Sequence, residues 1–207
     1  MPRRLKGKQV EPEVRQRILD AALKEFSHRG YDRAALDTIA ERADVSKGAI
    51  YWYFANKAEL FVAVWEQALS NYMEYLEGIA QADEQPLVDR MEAIFVAAVS
   101  YHKKHSDFYN LMKSSYSPDL QGCAGKIENL ANKLIQRGRE MAEAQLQEGV
   151  RRGEVMPERV AAATPMLVAL LDGLIAQWLI APKAVPLEKM ARGIALILVN
   201  GIASKPR

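Results

Sequence analysis

A single cysteine, Cys123, stands in 207 residues. That excludes an internal disulfide and fits a chain kept in a reducing compartment. Histidine is scarce too, with three in all. Only His102 and His105 fall one helical turn apart. With no third ligand in view they are expected to be surface imidazoles rather than a metal site. No Gly-rich phosphate loop is present, nor a Ser/His or Cys/His pair in a plausible setting, so no catalysis and no cofactor are expected. Sustained period-two alternation bounded by hairpin turns is also missing, which argues against strands. The opening MPRRLKGKQVEPEV lacks an apolar core and is not read as a signal peptide. The most apolar run, Val160 to Ala181, is interrupted by Pro165, Asp172 and Gln177, too polar for a membrane span. The chain is expected to be soluble and cytoplasmic, with no membrane partner.

What remains is an ordinary globular composition, 49% apolar and 26% charged, with an uneven charge distribution. Residues 1–57 carry 12 Lys/Arg against 8 Asp/Glu, while residues 58–207 carry 16 against 18. A basic head on a mildly acidic body fits a polyanionic partner for the head alone. The division expected is therefore 1–57, a nucleic-acid-binding head, and 58–207, a body. The first residues form a basic arm with Arg3, Arg4, Lys6 and Lys8. It is a solubilising start that could also reach phosphates.

The stretch around which the head is built is Leu36 to Lys57, LDTIAERADVSKGAIYWYFANK. Leu36, Ile39, Ala40 and Ala43 share one helical face. Asp44 tolerates the left-handed turn that follows, and Ser46 can cap the next helix. Val45 and Ile50 are spaced as a hydrophobic staple. This is a helix-turn-helix pattern. In its second helix Ile50, Phe54 and Ala58 fall on an inward side, while Lys47, Gly48, Tyr51, Trp52 and Ala55 fall on the other. A cation, two flat hydrogen-bonding aromatics and small residues suit a major groove. Lys47 fits a phosphate or a guanine edge, Tyr51 and Trp52 fit phosphates and thymine methyls, and Gly48 and Ala49 allow close approach. Aromatics at such spacing more often belong to a core, and the alternative for Tyr51 and Trp52 is packing against neighbouring helices.

Residues 12–65, with GY at Gly30–Tyr31, IA at Ile39–Ala40 and VSKGAIYWYFANKAEL, closely resemble the DNA-binding head of the TetR family of transcriptional regulators. The resemblance implies an all-α fold, an N-terminal three-helix head on a larger helical body that binds ligand and dimerises, and double-stranded operator DNA as partner. It implies DNA contact by Thr38, Ser46, Lys47, Gly48 and Ala49, and by Tyr51, Trp52, Tyr53 and Lys57. Two positions depart from the family pattern. Asp44 replaces the usual turn Gly, and Ala34 and Ala35 replace the usual Thr at the start of the second helix. Either Asp37 or Thr38 takes over that Thr's role, or the helix starts later. Lys57, in the first turn of the helix capped by Asn56 and Glu59, combines its charge with a positive helix end.

Upstream, a helix from Pro12 to Arg29 is expected to end on a left-handed Gly30 with Tyr31 packing back. Downstream, the spacing predicts helices over Asn56 to Gly78 and Pro86 to His105, a short helix or loop over Asp107 to Met112, and a long helix over Gly125 to Arg152. Gly138 weakens the last of these. Two more, Pro157 to Ala181 with a kink at Pro165 and Pro186 to Ile202, are apolar nearly all round. A helix apolar on every side needs burial on every side. A homodimer, in which Leu167, Leu171, Leu174, Ile194, Ile197 and Leu198 pack against their twins, meets that need.

Ligand-binding candidates are the large and adaptable side chains of the body: Trp65, Tyr72, Met91, Phe95 and Tyr109, then Met112, Met166, Leu170 and Trp178. They suit a small apolar or aromatic effector. Each taken singly fits ordinary core as well. Asp172 is the unexpected charge. Pairing with an Arg or an amide is its ordinary outcome, and a cationic ligand is the alternative. The reading is a dimeric repressor released by a small molecule. The alternatives are an activator, a DNA binder with no effector, and an all-helical enzyme or carrier.

Overall fold

The computed structural model describes residues 11–81, 85–114 and 124–203. The expectations for the basic arm and for Cys123 fall outside these residues. Among those described, nine α-helices account for the fold. They are α1 (Pro12–Arg33), α2 (Leu36–Arg42), α3 (Lys47–Tyr53), α4 (Lys57–Ala80), α5 (Leu87–Lys104), α6 (Ser106–Ser114), α7 (Ala124–Arg151), α8 (Val160–Ile180) and α9 (Leu187–Ile202). The fold is all-α, with one isolated bridge among the described residues, between Val155 and Ala203.

Helix α1 buries Ile18, Leu19, Ala22 and Phe26, one helical face. Its break comes at Gly30, though not as a left-handed cap. With φ 73° and ψ 172°, Gly30 sits in a region essentially closed to side chains, and one more turn follows it to Arg33. The kink swings Tyr31 onto Phe26 and Phe61, 6.3 and 5.0 Å between ring centroids. This three-ring cluster pins α1 to the start of α4. At the head of α4, Asn56 accepts from the Glu59 N–H at 2.9 Å. Glu59 returns the bond to Ala55 N–H, one residue earlier than a standard capping box.

One continuous core runs from Ile18 through the aromatic residues of α4 to Phe108 of α6 and Trp178 of α8. A second gathers Leu87, Met91 and Phe95 of α5 with Leu146 of α7, Leu167 of α8 and Leu198 of α9. Helix α7 passes Gly138 unbroken, and that glycine lies against Val168 of α8. Helix α8 runs through Pro165 without an unwound residue; a 3₁₀ turn, Pro157–Arg159, precedes it. Pro157–Ile180 is long and apolar enough to cross a membrane by length and composition only. Here Leu167, Ile175, Trp178 and Leu179 are buried in protein.

Two expectations are corrected in this region. Helix α9 is one-sided: Leu187, Ala191, Ala195, Leu198 and Ile202 pack, chiefly along α5, and the opposite face is open. His102 is not a surface residue. It is 2% exposed, enclosed by Tyr72, Phe108 and Trp178, with Nδ1 2.8 Å from the Ala98 carbonyl. His105 is exposed and stacks on Tyr101. Among the described residues no group of His, Cys, Asp and Glu is arranged to hold a metal.

Candidate nucleic-acid interface and internal cavity

The turn between α2 and α3 forms as its residues require. Asp44 adopts φ 54°, and Ser46 Oγ accepts from the Ala49 N–H at 3.1 Å. Ile50 is buried beneath α3, which fixes the opposite face outward. Tyr51 and Trp52 are 50% and 52% exposed, so the core alternative for them does not hold. Gly48 is exposed and Ala49 partly so, leaving the start of α3 open to close approach.

The other members of the predicted set are placed differently. Lys47 donates to Asp37 at 2.9 Å, and that hydrogen bond holds its ammonium above the usual range. Tyr53 is half-buried against Trp52 and turns back to donate to the Glu11 carbonyl at 3.4 Å, bracing α3 against α1. Lys57 donates to the Asp32 carbonyl at 2.9 Å and lies over the Tyr31 ring; burial pushes its pKa down. Ala55 lies beyond the last turn of α3, in the loop. Thr38 is partly accessible in the first turn of α2.

No side chain caps the start of α2 at its N-cap Ala35, so neither Asp37 nor Thr38 supplies the missing cap. Glu25 of α1, 2% exposed, accepts from the Ala35 N–H at 3.4 Å and pairs with Arg42 at 3.7 Å. No local pattern signals this contact, because Glu25 sits on α1, ten residues before the amide it serves.

The body encloses a cavity of about 60 Å³ between α4, α5, α7 and α8. Tyr72, Met91 and Phe95, three of the predicted ligand residues, line it together. The remaining six do not. Trp65 is buried against Phe61, Tyr109 donates to the Leu179 carbonyl at 3.3 Å, and Trp178 packs on His102 and Tyr109. Met112 and Leu170 pack at the borders of the two cores, and Met166 is 45% exposed away from the cavity. Helical spacing tells which residues turn inward, and all of these but Met166 do; which inward residues border the gap depends on how four helices cross. In their place the walls are completed by Met73, Met141, Gly138, Gln145 and Asp172, with Leu167 and Leu171.

Those last two bear on the expected dimer face. Leu167 and Leu198 are closed inside the chain's own core, Leu171 faces the cavity, and Leu174 and Ile194 are half-covered. Of the six residues assigned to that face Ile197 is the most open, 76% exposed, and Leu171, Leu174 and Ile194 keep part of their surface. The exposed apolar residues of α8 and α9 are Met166, Ile180, Met190, Leu196 and Ile197.

Comparison with known proteins agrees with this architecture. Residues 18–64 match the family described as bacterial regulatory proteins, tetR family. Residues 125–198 match the BetI-type transcriptional repressor, C-terminal. The chain is 30% identical to the HTH-type transcriptional regulator AcrR of Shigella flexneri over 198 residues, covering 94% of this chain and 92% of AcrR. Among solved structures it resembles the transcriptional regulator FadR of Bacillus subtilis in complex with stearoyl-CoA, with TM-score 0.71 and 20% identity, covering 90% of this chain and 98% of that one. It also resembles SmeT bound to triclosan, with TM-score 0.71 and 22% identity, covering 91% and 90%. SmeT is the repressor of the Stenotrophomonas maltophilia multidrug efflux pump SmeDEF.

Proposed function

Because the chain belongs to the TetR family of bacterial transcriptional regulators, we propose that it is a cytoplasmic homodimeric repressor whose hold on double-stranded operator DNA is released by a small, largely apolar effector. The observation that carries this reading is where the chain leaves its large apolar side chains uncovered. Among the described residues they lie only on α3 and on α8 and α9. Uncovered aromatics on a capped, surface-mounted helix suit base edges and phosphates. A second uncovered patch, on the last two helices, suits a twin subunit.

Two copies give the head its selectivity. One short α3 reads few bases, so two heads must meet successive major grooves roughly 34–36 Å apart, or a multiple of that. Helix α4 is the physical link. Its capped start follows α3 directly, and its Tyr72, Met73 and Leu76 form a wall of the cavity. A drug-sized molecule needs a pocket of about 300 Å³ or more. Entry into a gap of about 60 Å³ therefore parts the helices that line it, α4 among them. A shift in α4 carries the head with it and changes the spacing. AcrR and SmeT, a regulator and an efflux-pump repressor, are the relatives whose descriptions agree with this role. The division into a head of 1–57 and a body of 58–207 belongs to the same proposal.

The test is an electrophoretic shift with DNA from upstream of the protein's own gene and its neighbours. A sequence-selective complex that weakens steeply with salt, contains two chains and dissociates on adding a lipophilic compound is expected. A strictly monomeric chain indifferent to duplex DNA at low salt overturns it.

A further inference from the structure

The internal cavity has one-sided polar chemistry. Its lining is apolar apart from the Tyr72 hydroxyl, the Gln145 amide and the Asp172 carboxyl, and no Lys, Arg or His lines it among the described residues. Gln145 spends its N–H₂ on the Ala80 carbonyl at 2.8 Å, and this bond leaves its Oε1 buried without a donor. A buried acceptor left unmet is costly, so a ligand that supplies a donor gains there.

Asp172 reaches solvent at the rim, and no ion pair holds it among the described residues. The protein around it pushes its carboxyl above the usual range. Burial, and then the nearby Asp172 charge, raises the Tyr72 hydroxyl, which stays a neutral phenol. The cavity thus offers one buried acceptor without a donor, Gln145 Oε1, and at its rim a carboxyl without an ion pair among the described residues. A hydrocarbon leaves both unmet. An anion meets a carboxylate with no cation to offset it. An ammonium group on an apolar stem answers both needs, since it brings several N–H donors and one positive charge. Met73, Met91 and Met141 are unbranched and can move aside for the stem.

We infer that the effector is an apolar molecule bearing a protonated nitrogen, its charge held by the Asp172 carboxylate of α8 and a further donor taken by Gln145 Oε1 of α7. This rests on the effector reading of the cavity given above. It narrows that reading from apolar compounds in general to lipophilic amines, and it excludes fatty acids.

The experiment uses the full chain and three probes of equal length, decylamine, decanol and decanoate, each below its micelle concentration and near neutral pH. Isothermal titration reads affinity, and the DNA shift reads release. Decylamine is expected to bind at least about tenfold more tightly than decanol, the ratio that a charge-assisted hydrogen bond implies, with decanoate weakest. In Asp172→Asn the ratio of decylamine to decanol is expected to fall toward one, and in Asp172→Glu to recover in part. Decanoate binding as well as decylamine overturns the inference, as does a ratio that survives Asp172→Asn. In both of those outcomes the cavity still takes a ligand, and the effector reading stands. Failure of all three probes to bind a chain that still grips DNA removes the effector reading and this inference together.

Discussion

Arg137 on α7 holds Glu77 on α4 through two parallel hydrogen bonds, from Nε at 2.6 Å and from Nη2 at 2.7 Å. The pair adjoins Gly138 and Leu76, which border the cavity, so it ties together the two helices that a ligand must part. Both side chains are about one-third exposed, 36% and 32%, and solvent screens much of their attraction. The contact is a weak latch on the α4–α7 seam.

Arg137→Ala should therefore lower stability by no more than about 1 kcal/mol in urea unfolding. The same change should reduce the effector concentration that releases half the DNA. A rise in that concentration would show that the pair does not resist opening of the cavity.

Tyr51→Ala and Trp52→Ala should each weaken operator binding by about 1–3 kcal/mol, the range of a lost base contact. Melting of the free protein should stay nearly unchanged, because both rings already stand in solvent. Loss of binding and of melting temperature in equal measure would return these residues to a structural role. Tyr53→Phe is the contrast: it removes the bond to the Glu11 carbonyl and should loosen the brace between α1 and α3.

Lys57→Ala should act twice. Its ammonium makes a hydrogen bond and a ring contact within the head, whose joint loss costs about 1 kcal/mol. Donors beyond the one given to Asp32 are free for a phosphate at the start of α4. DNA affinity should fall about equally on all sequences, and the salt slope should drop by about one unit. An unchanged slope limits Lys57 to holding the head together.

Ile197→Glu should yield monomers in analytical ultracentrifugation while helicity is kept, since the side chain is 76% exposed in the single chain. Operator binding should fall with the dimer. A dimer that persists moves the interface off the α8–α9 patch.

His102 predicts a pH dependence. Burial in its aromatic cage lowers its pKa from the ordinary 6.5. The unfolded chain therefore binds the proton more readily, and stability rises with pH across the window between the folded value and 6.5. The contribution is complete above that window and is lost as pH falls through it. Urea midpoints should drop from neutral to mildly acid pH, and His102→Gln should flatten that drop. An equal drop in the variant assigns the effect to other groups.

The helix-turn-helix was legible because its determinants are local. Ser46 caps the helix that begins one residue later, Asp44 accepts positive φ by its own chemistry, and Ile50 fixes which side of α3 faces out. Most helix bounds came within a few residues of expectation for the same reason, since capping and 3.6-residue periodicity act over one or two turns. Glu25 escaped notice because the amide it serves belongs to another helix. His102 was misplaced because nothing within a turn of it announces the rings of Tyr72, Phe108 and Trp178 closing over it.

The sequence alone determined an all-α chain with a basic head, a capped recognition helix carrying Tyr51 and Trp52, and a body of amphipathic and apolar helices. Only the tertiary structure decided that Tyr72, Met91 and Phe95 share a cavity with Gln145 and Asp172 while Trp65, Met112 and Trp178 do not. It likewise turned Leu167 and Leu198 inward and left Ile197 to solvent. Periodicity assigns a residue to a face of its own helix. Whether that face meets a core, a gap or open water is set by how distant helices cross, and the crossing depends on side chains far apart along the chain.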